Sequence, residues 1–270
     1  MLPKPACLGE EFASAFQESS VAAAYQNRPP YPAAVFSFLA DLIAEHPRRV
    51  LDVGCGTGFV ARHLVNLVDH IDAIDVSQAM IDAGRRLPNG DHARLNWIVG
   101  RAEDTPLSPP YTLITAGDSL HWLAWPIALP RFASMLTPGG WLVILQSGQL
   151  PLPWDAELLP IIKKFSIYGQ SYQSVDLIAE LEQRRLFQRH GAMQTQPALF
   201  EQPIDAYVES FHGRASLARG RMGSKAALAF DAELRKLVST HTQDRVKLQV
   251  VTEIAWGKPL MSTAEDAHDR

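Results

Sequence analysis

The sequence predicts an α/β protein in which a doubly wound, mostly parallel sheet carries helices on both faces and a helical cap. Three observations favour this fold class. Short apolar segments alternate with helical segments from residue 49 onward. These segments are apolar on both faces, which is typical of parallel strands between two layers of helices. A glycine-rich turn joins the first apolar segment to the helix that follows it.

Five strands and three helices are predicted between residues 49 and 146. The predicted strands are RVLDVG, IDAIDV, RLNWIVG, YTLITAG and GGWLVILQ. The predicted helices are FVARHLVNLV, SQAMIDAGRRL and PIALPRFASML. Ser77 is a candidate N-cap of the second helix, because a serine side chain accepts a hydrogen bond from an amide of the first turn. Pro130 is expected to kink or shorten the third helix, because proline has no amide hydrogen to donate.

Three regions are predicted along the chain. Residues 1–46 form an N-terminal helical segment that the prolines of NRPPYP interrupt. Residues 47–150 form the core, and residues 151–270 complete the sheet and add the helical cap. Within this last region, the proline-rich LPLPWDAELLP is predicted to be a linker or lid. SVDLIAELEQRRLF and residues 203–240 are predicted to be helical, and RVKLQVVTEIAWG is the predicted closing strand.

Composition argues against several classes of function. The formal net charge of −4 gives no basic surface for a nucleic acid. Two cysteines provide no disulfide framework and favour a cytoplasmic location. No stretch approaches the roughly 18 apolar residues that a membrane span needs. The nine histidines form no metal-binding motif, so we expect no bound metal. From the net charge and the lack of a long apolar stretch, we expect neither a nucleic acid nor a membrane as a partner. The sequence gives no indication of the oligomeric state.

The glycine-rich turn DVGCGTG indicates the kind of ligand. Gly54, Gly56 and Gly58 lie where the backbone must turn and where a ligand can approach it closely. Asp75 ends the next predicted strand, where an acidic side chain can accept hydrogen bonds from both hydroxyls of a ribose. The dinucleotide fingerprint requires a third glycine at the position of Phe59, and the Gly-Lys-Ser/Thr of a phosphate-binding loop is also missing. These residues predict the binding of an adenosine-like group.

Several stretches together resemble the class I S-adenosylmethionine-dependent methyltransferases. DVGCGTG resembles motif I of that family, and AIDVSQAMIDAGRR resembles its second strand and following helix. VGRAEDTPLSPPYTLITAGDSLHWL resembles its adenine-site loop and fourth strand, and RFASMLTPGGWLVI resembles the turn into its fifth strand. AYQNRPPYP resembles the N-terminal segment of the small-molecule branch, with the type 11 and trans-aconitate methyltransferases. The resemblance implies a Rossmann-like, seven-stranded sheet that binds S-adenosylmethionine through the core of residues 47–150.

The resemblance also implies a set of cofactor-binding residues. Asp52 would lie near the ammonium of the cofactor, because a carboxylate attracts that cation. Met80 would lie against the adenine or serve only as helix core. Arg101 replaces the usual Asp or Asn, so Glu103 or Asp104 would have to contact the adenine edge. The full implied set is Tyr25, Arg28, Asp52, Gly54, Gly56, Thr57, Gly58, Asp75, Val76, Met80, Ala102, Glu103, Gly117 and Asp118.

The acceptor side offers fewer candidates. His121 follows the fourth strand and could act as a general base, orient the acceptor, or be a structural histidine. Tyr31, Trp122 and Arg214 are candidate substrate-binding residues. Arg28 could pair with the methionine carboxylate, with an acidic substrate, or with solvent alone. The segment FHGRASLARGRMGSK could be a basic lid for a carboxylate or a solvated turn.

The predicted function is methyl transfer from S-adenosylmethionine to an oxygen or carbon of a small molecule, with a carboxylate or a phenol among the candidate acceptors. Two alternatives stay open at this point. One is a protein that binds S-adenosylmethionine without transferase activity. The other is a nicotinamide-dependent oxidoreductase, against which the missing third glycine counts.

Overall fold

The computed structural model describes residues 14–167 and 175–261 of the chain. An eight-stranded sheet forms its centre. The strands are β1 (Arg49–Val53), β2 (His70–Asp75), β3 (Leu95–Val99), β4 (Tyr111–Gly117), β5 (Leu136–Gln149), β6 (Phe187–Gln194), β7 (Ala198–Pro203) and β8 (Arg245–Pro259). The predicted strands of the core and the predicted closing strand are therefore confirmed, within a few residues at their ends.

Helices and short 3-10 turns surround the sheet. The helices are α1 (Ser19–Tyr25), α2 (Ala33–Leu42), α3 (Ala61–Leu64), α4 (Gln78–Arg85), α5 (Trp125–Met135), α6 (Asp155–Phe165), α7 (Leu177–Gln183), α8 (Ile204–Ser210), α9 (Arg219–Met222) and α10 (Ser224–Ser239). The 3-10 turns are Ser14–Gln17, Leu120–Trp122, Phe211–Gly213 and Ala215–Leu217. Among the described residues, no helix combines the length and the apolar character that crossing a membrane requires.

The strand order is β3-β2-β1-β4-β5-β8-β6, and β7 also pairs with β8. The first five strands are parallel to one another, whereas β8 runs antiparallel to β5, β6 and β7. β6 and β7 pair with successive parts of the same edge of β8, opposite β5. Pro197 lies between β6 and β7, where it cannot donate to the ladder. The predicted doubly wound sheet is thus confirmed, and β6 and β7 share the place beside β8 that a single strand could occupy.

Two apolar clusters cover the two faces of the sheet. Leu51 and Ile114 pack with Trp125 on one face, and their neighbours Val50 and Leu113 pack on the other. Successive residues of a strand point to opposite faces, so a strand between two helical layers must be apolar throughout. This arrangement explains why β1 and β4 contain almost no exposed residue.

A third apolar cluster lies beyond the end of β5. It unites α6, α8 and α10 with the first half of β8, around Trp154, Tyr207, Phe230 and Leu248. These helices, together with residues 211–223 between α8 and α10, form the part of the molecule that we call the cap. The residue boundaries predicted for the three regions of the chain stay a prediction.

The prediction of a linker at LPLPWDAELLP is wrong for the second half of that segment, and its alternative role as a lid stays a prediction. The second half begins α6, in which Pro160 lies inside the helix. Leu158, Ile161 and Phe165 recur at helical spacing and pack into the third cluster. Burial of this apolar face outweighs the unfavourable effect of an internal proline on the helix.

The helix predicted at SVDLIAELEQRRLF is shorter than expected. α7 ends at Gln183, and Arg185 adopts a positive φ of 56° that no helix can continue. The chain then enters β6 at Phe187, so the last apolar residues of this pattern belong to a strand. FVARHLVNLV likewise forms only the short helix α3.

Candidate functional site

The predicted cofactor residues gather at the carboxyl ends of the parallel strands. The glycine turn of residues 54–58 follows β1, Asp75 ends β2, and Asp118 follows β4. β1 lies between β2 and β4 in the sheet, so these three segments are neighbours. Ligands of open parallel sheets bind at this edge, where the strand order reverses.

The conformation of the glycine turn requires glycine at two positions in particular. Gly54 has a φ of 61°, and a Cβ added there would lie 2.5 Å from the Cβ of Ser119. Gly58 has a φ of 76°, and its added Cβ would lie 2.6 Å from the ring of Trp97. Both positions combine a left-handed backbone with close neighbours, so any other residue would be strained. The turn therefore keeps bare backbone at the end of β1.

Asp75 is fixed against the glycine turn. Its Oδ2 accepts a hydrogen bond from the amide of Gly56 at 2.8 Å, and its Oδ1 accepts one from the amide of Ser77 at 2.8 Å. An ionised carboxylate has about four acceptor sites, so about two are left for a ligand. Burial raises the pKa of Asp75, although the two amide hydrogen bonds lower it.

Ser77 confirms its predicted role as the N-cap of α4. Its side-chain oxygen accepts a hydrogen bond from the amide of Met80 at 3.2 Å. The same hydroxyl donates to the carbonyl of Phe16 at 2.7 Å. A single serine therefore begins the helix after Asp75 and also contacts the N-terminal segment.

Asp52 lies inside the protein. Its side chain accepts hydrogen bonds from the amide of Ala61 at 3.2 Å and from the hydroxyl of Thr115 at 2.8 Å. Burial raises the pKa of this carboxyl to about 7, despite both hydrogen bonds. Both oxygens bind protein groups, so contact with the ammonium of a cofactor stays a prediction.

Thr57 is the polar side chain of the glycine turn. It is fully buried, and its hydroxyl has no hydrogen-bond partner among the described residues. A buried hydroxyl is seldom left without a partner in a folded protein. Together with the bare backbone around it, this hydroxyl fits a polar ligand group, as the predicted amino acid end of S-adenosylmethionine would be.

The predicted adenine contacts are only partly brought together. Val76 is exposed beside Asp75, next to the exposed Val99 at the paired end of β3. Met80 is buried among alanines and Val21 of the N-terminal segment, and Ala102 is buried in the core. Val76 is thus open to a ligand, whereas Met80 serves as helix core.

Glu103 has structural partners in its own loop and in the segment after β4. Its Oε1 accepts a hydrogen bond from the amide of Ala124 at 2.8 Å, just before α5. Its Oε2 lies 3.8 Å from Nε of Arg101, which also lies 3.8 Å from Asp104. Arg101 thus pairs with two acidic residues of its own loop. An adenine contact through Glu103 stays a prediction.

Residues 14–31, which we call the strap, cross the glycine turn. A Cβ added at Gly56 would lie 3.7 Å from the ring of Tyr25, and that ring lies 5.7 Å from the ring of Phe59 between centroids. Tyr31 meets the same ring edge-on at 6.5 Å. The guanidinium of Arg28 lies 4.9 Å from the centre of the Tyr25 ring. Phe59 is thus the platform for two predicted site residues, although the sequence drew attention to it only as a missing glycine.

Asp118 attaches the strap to the sheet. It has a positive φ of 49° and follows Gly117 directly. Its carboxylate accepts hydrogen bonds from the hydroxyl of Tyr31 at 3.3 Å, from Arg28 at 3.4 Å, and from the amide of Ser147 at 3.0 Å. The hydroxyl of Ser147 also donates to it. Burial, together with the charge of Asp118, raises the pKa of Tyr31 well above its ordinary value.

His121 and Trp122 lie on the 3-10 turn that follows β4. Their rings are 4.4 Å apart, and both side chains are half-buried. The ring of Trp122 also lies 5.8 Å from the ring of Phe16 in the strap. This pair therefore sits between the end of β4 and the strap, and the role of His121 stays a prediction.

Two of the four arginine and lysine residues in FHGRASLARGRMGSK form ion pairs with carboxylates of the protein. Arg219 pairs with Glu209 and lies 2.9 Å from Asp231. Arg221 pairs with Glu18 of the strap at 3.1 Å. These partners argue against a basic lid made by the whole segment.

Two further residues of this segment have different surroundings. His212 is buried, with its ring nitrogens 2.7 Å from Asp231 and 2.7 Å from the carbonyl of Leu217. Arg214 is exposed, with its guanidinium 4.6 Å from the centre of the Phe211 ring. Contact between Arg214 and a substrate stays a prediction.

Comparisons with known proteins show similarity to methyltransferases over part of the chain. Residues 50–140 match the family model described as a methyltransferase domain. An uncharacterized methyltransferase of Mycobacterium tuberculosis is 32% identical over 146 residues, which are 53% of this chain and 57% of the relative. The trans-aconitate 2-methyltransferase of Mycolicibacterium gilvum is 31% identical over 132 residues, 48% of each chain. The matches thus span about half the length of the curated relatives.

The fold is also similar to solved structures. A proposed type II methyltransferase from Anaeromyxobacter dehalogenans has a TM-score of 0.59 at 22% identity, covering 86% of this chain and 97% of that chain. At this identity the likeness concerns the fold alone. The family match includes the glycine turn, Asp75 and the whole of β2 to β4. Residues 50–140 are therefore similar to a methyltransferase domain, and the chain as a whole resembles a solved methyltransferase structure in its fold.

Proposed function

We propose that this protein transfers the methyl group of S-adenosylmethionine to a small-molecule acceptor. The observation that carries the proposal is the junction of Asp75 with the amide of Gly56, 2.8 Å apart, at the carboxyl edge of the sheet. This junction places a carboxylate suited to a ribose beside bare backbone suited to the amino acid end. The sulfonium of the cofactor supplies an activated methyl group, so the chain has to align the reactants and exclude water.

We assign the binding roles by the polarity of each contact surface. The free acceptor sites of Asp75 would bind the ribose hydroxyls, and Val76 would contact an apolar face of the adenine. The hydroxyl of Thr57 would bind the amino acid end beside the amides of the glycine turn. Support comes from the orphaned Thr57 hydroxyl and from the exposure of Val76 next to Asp75.

The strap would close the cofactor site. Tyr25 and Tyr31 stand over Phe59 and the glycine turn, where they would keep water from the reacting atoms. Arg28 lies between Tyr25 and Asp118, so its charge is partly compensated. Its planar guanidinium would bind the carboxylate of the cofactor or of an acidic acceptor.

The acceptor would be small and would approach between the strap, the turn after β4, and the cap. His121 and Trp122 would face it from the turn, and Arg214 from the cap. The net charge of −4 disfavours a nucleic acid as the acceptor. Methylation at oxygen or carbon fits this site, with a carboxylate or a phenol as the acceptor group. We infer that His121 removes a proton or orients the acceptor where the acceptor atom is protonated.

The first experiment is calorimetric titration with S-adenosylhomocysteine. We expect binding with a Kd of about micromolar order in the wild-type protein. Asp75→Asn keeps the size of the side chain but removes its charge and two acceptor sites, so we expect at least a roughly tenfold weaker Kd. The matched control is Asp82→Asn on α4, whose carboxylate accepts a hydrogen bond from Gln78.

Two outcomes would contradict the proposal. An unchanged Kd in a folded Asp75→Asn variant would overturn the ribose assignment. Binding of the cofactor without product from any acid, phenol or acidic carbon acceptor would favour a binding protein without transferase activity.

A further inference from the structure

Arg221 connects the cap to the strap. Its Nε donates to Oε1 of Glu18 at 3.1 Å, and its NH2 group donates to the hydroxyl of Ser14 at 2.7 Å. The side chains of Arg221 and Glu18 are only 23% and 31% exposed. One guanidinium therefore holds two points of the strap, and partial burial shields its charge-assisted bond to Glu18 from water, whereas the bond to Ser14 is exposed.

The backbone of the cap also fits closely against the strap. A Cβ added at Gly220 would overlap the carboxylate of Glu18, and one added at Gly213 would lie 3.2 Å from Cα of Tyr25. Glu18 is the N-cap residue of α1, so its position determines where this helix begins. The cap thus contacts both ends of α1, through Glu18 at its start and Tyr25 at its end.

The opposite side of the strap faces the cofactor-binding residues. The carbonyl of Phe16 accepts a hydrogen bond from the hydroxyl of Ser77, which follows Asp75 by two residues. The ring of Tyr25 lies 3.7 Å from the place that a Cβ on Gly56 would take. The strap is therefore a layer between the cap and the glycine turn, held on one side by Arg221.

We propose that Arg221 is a positioning residue that controls how long the bound cofactor is retained. By holding Ser14 and Glu18, it keeps α1 in the place where Tyr25 covers the glycine turn. Loss of this contact would let the strap lift and the cofactor leave sooner. The inference rests on the proposed function, since it requires the cofactor to lie under the strap.

A consequence for the proposed reaction follows from linkage. The acceptor site adjoins the cap, so an acceptor that fixes the cap also stabilises the Arg221 contact. Two ligands that bias the same element raise each other's affinity by the same factor. The protein would therefore release the cofactor product more slowly while an acceptor is bound.

Charge reversal tests the contact directly. We expect Arg221→Glu and Glu18→Arg each to speed the dissociation of S-adenosylhomocysteine roughly three- to tenfold, as for one charge-assisted contact. The double variant Glu18→Arg with Arg221→Glu restores the pair in reverse and should return the rate to within about twofold of the wild type. The matched control is Arg235→Glu, which breaks the exposed pair with Asp205 in the same cap and should not change the rate.

The measurement is stopped-flow displacement of S-adenosylhomocysteine, combined with amide hydrogen exchange of residues 19–25 without ligand. Faster exchange in Arg221→Glu, reversed in the double variant, would support the contact independently of the cofactor. Unchanged dissociation rates in both single variants, or no recovery in the double variant, would overturn the inference. If the wild-type protein binds no S-adenosylhomocysteine, the proposed function fails together with the retention role.

Discussion

At the scale of single residues, the carboxylate of Asp118 accepts several hydrogen bonds at once. Asp118 accepts hydrogen bonds from Tyr31, Arg28 and Ser147 while holding a left-handed backbone conformation. A non-glycine residue in that region costs about 1–3 kcal/mol, which such surroundings can repay. The sequence indicated Asp118, Arg28 and Tyr31 separately as site residues. Their common contact, and the part of Ser147, depend on strand positions that no motif records.

His121→Ala tests whether the histidine beside Trp122 acts on the acceptor. Removal of a general base or an orienting group should lower kcat by about 100-fold or more while the Kd of S-adenosylhomocysteine stays within about twofold. The measurement compares both quantities with any acceptor that the wild-type protein methylates. His92→Ala, on the turn before β3, is the control. An unaffected kcat would return His121 to a structural role.

At the scale of elements, hydrophobic pattern alone was enough for the strands of the core. β1 and β4 are apolar on both faces, and this pattern is typical of a buried parallel strand. α6 was missed because its prolines favour a turn locally, while its apolar face is satisfied only by the distant α10 and β8. The resemblance implied that Tyr25 and Arg28 of the strap bind the cofactor, but the contacts of the strap with Ser77 and Arg221 join residues far apart in sequence. Local pattern cannot supply such contacts.

Asp52 connects three elements. It lies in β1, and its carboxylate accepts hydrogen bonds from Thr115 of β4 and from Ala61, the first residue of α3. Its folded pKa of about 7 lies above the ordinary 3.8. The native state therefore holds more protons than the unfolded chain between these values, so this group lowers stability as the pH rises from about 4 to about 7. Each pH unit in that window costs at most about 1.4 kcal/mol.

Asp52→Asn removes this titration while keeping the size of the side chain. We expect the free energy of unfolding of the variant, minus that of the wild type, to increase from pH 5 to pH 8. Urea unfolding at both values measures the change. A relative free energy that does not move with pH would show that Asp52 stays ionised throughout.

At the scale of the whole molecule, the doubly wound sheet followed from the order of strands and helices. The division of the last edge into β6 and β7 did not, because β6 is mostly exposed and the one buried residue of β7 is the polar Gln202. The cap could be anticipated as helical, but its ion pairs could not. Arg219 and Arg221 read as a basic patch in the sequence because their partners Glu209, Asp231 and Glu18 come from other elements.

Ligand binding should stabilise the whole fold if the proposed cofactor is correct. S-adenosylhomocysteine at 100 times its Kd adds about 2.7 kcal/mol, which corresponds to a rise in Tm of roughly 5–10 °C. NADH at the same concentration should give no rise, because the dinucleotide fingerprint fails at Phe59. Thermal unfolding followed by fluorescence measures both. A rise with NADH alone would favour the oxidoreductase alternative.

β8 has a consequence for the way the chain is made. It pairs with β5 on one edge and with β6 and β7 on the other, yet it begins only at Arg245. On a ribosome, β1 to β5 can associate as they emerge, whereas β6 and β7 have no place in the sheet until β8 is synthesised. Until then β5 is an open edge, the kind of surface through which nascent chains aggregate. β8, which follows the other described strands in the sequence, therefore covers an edge of β5 that stays open while those strands are being made.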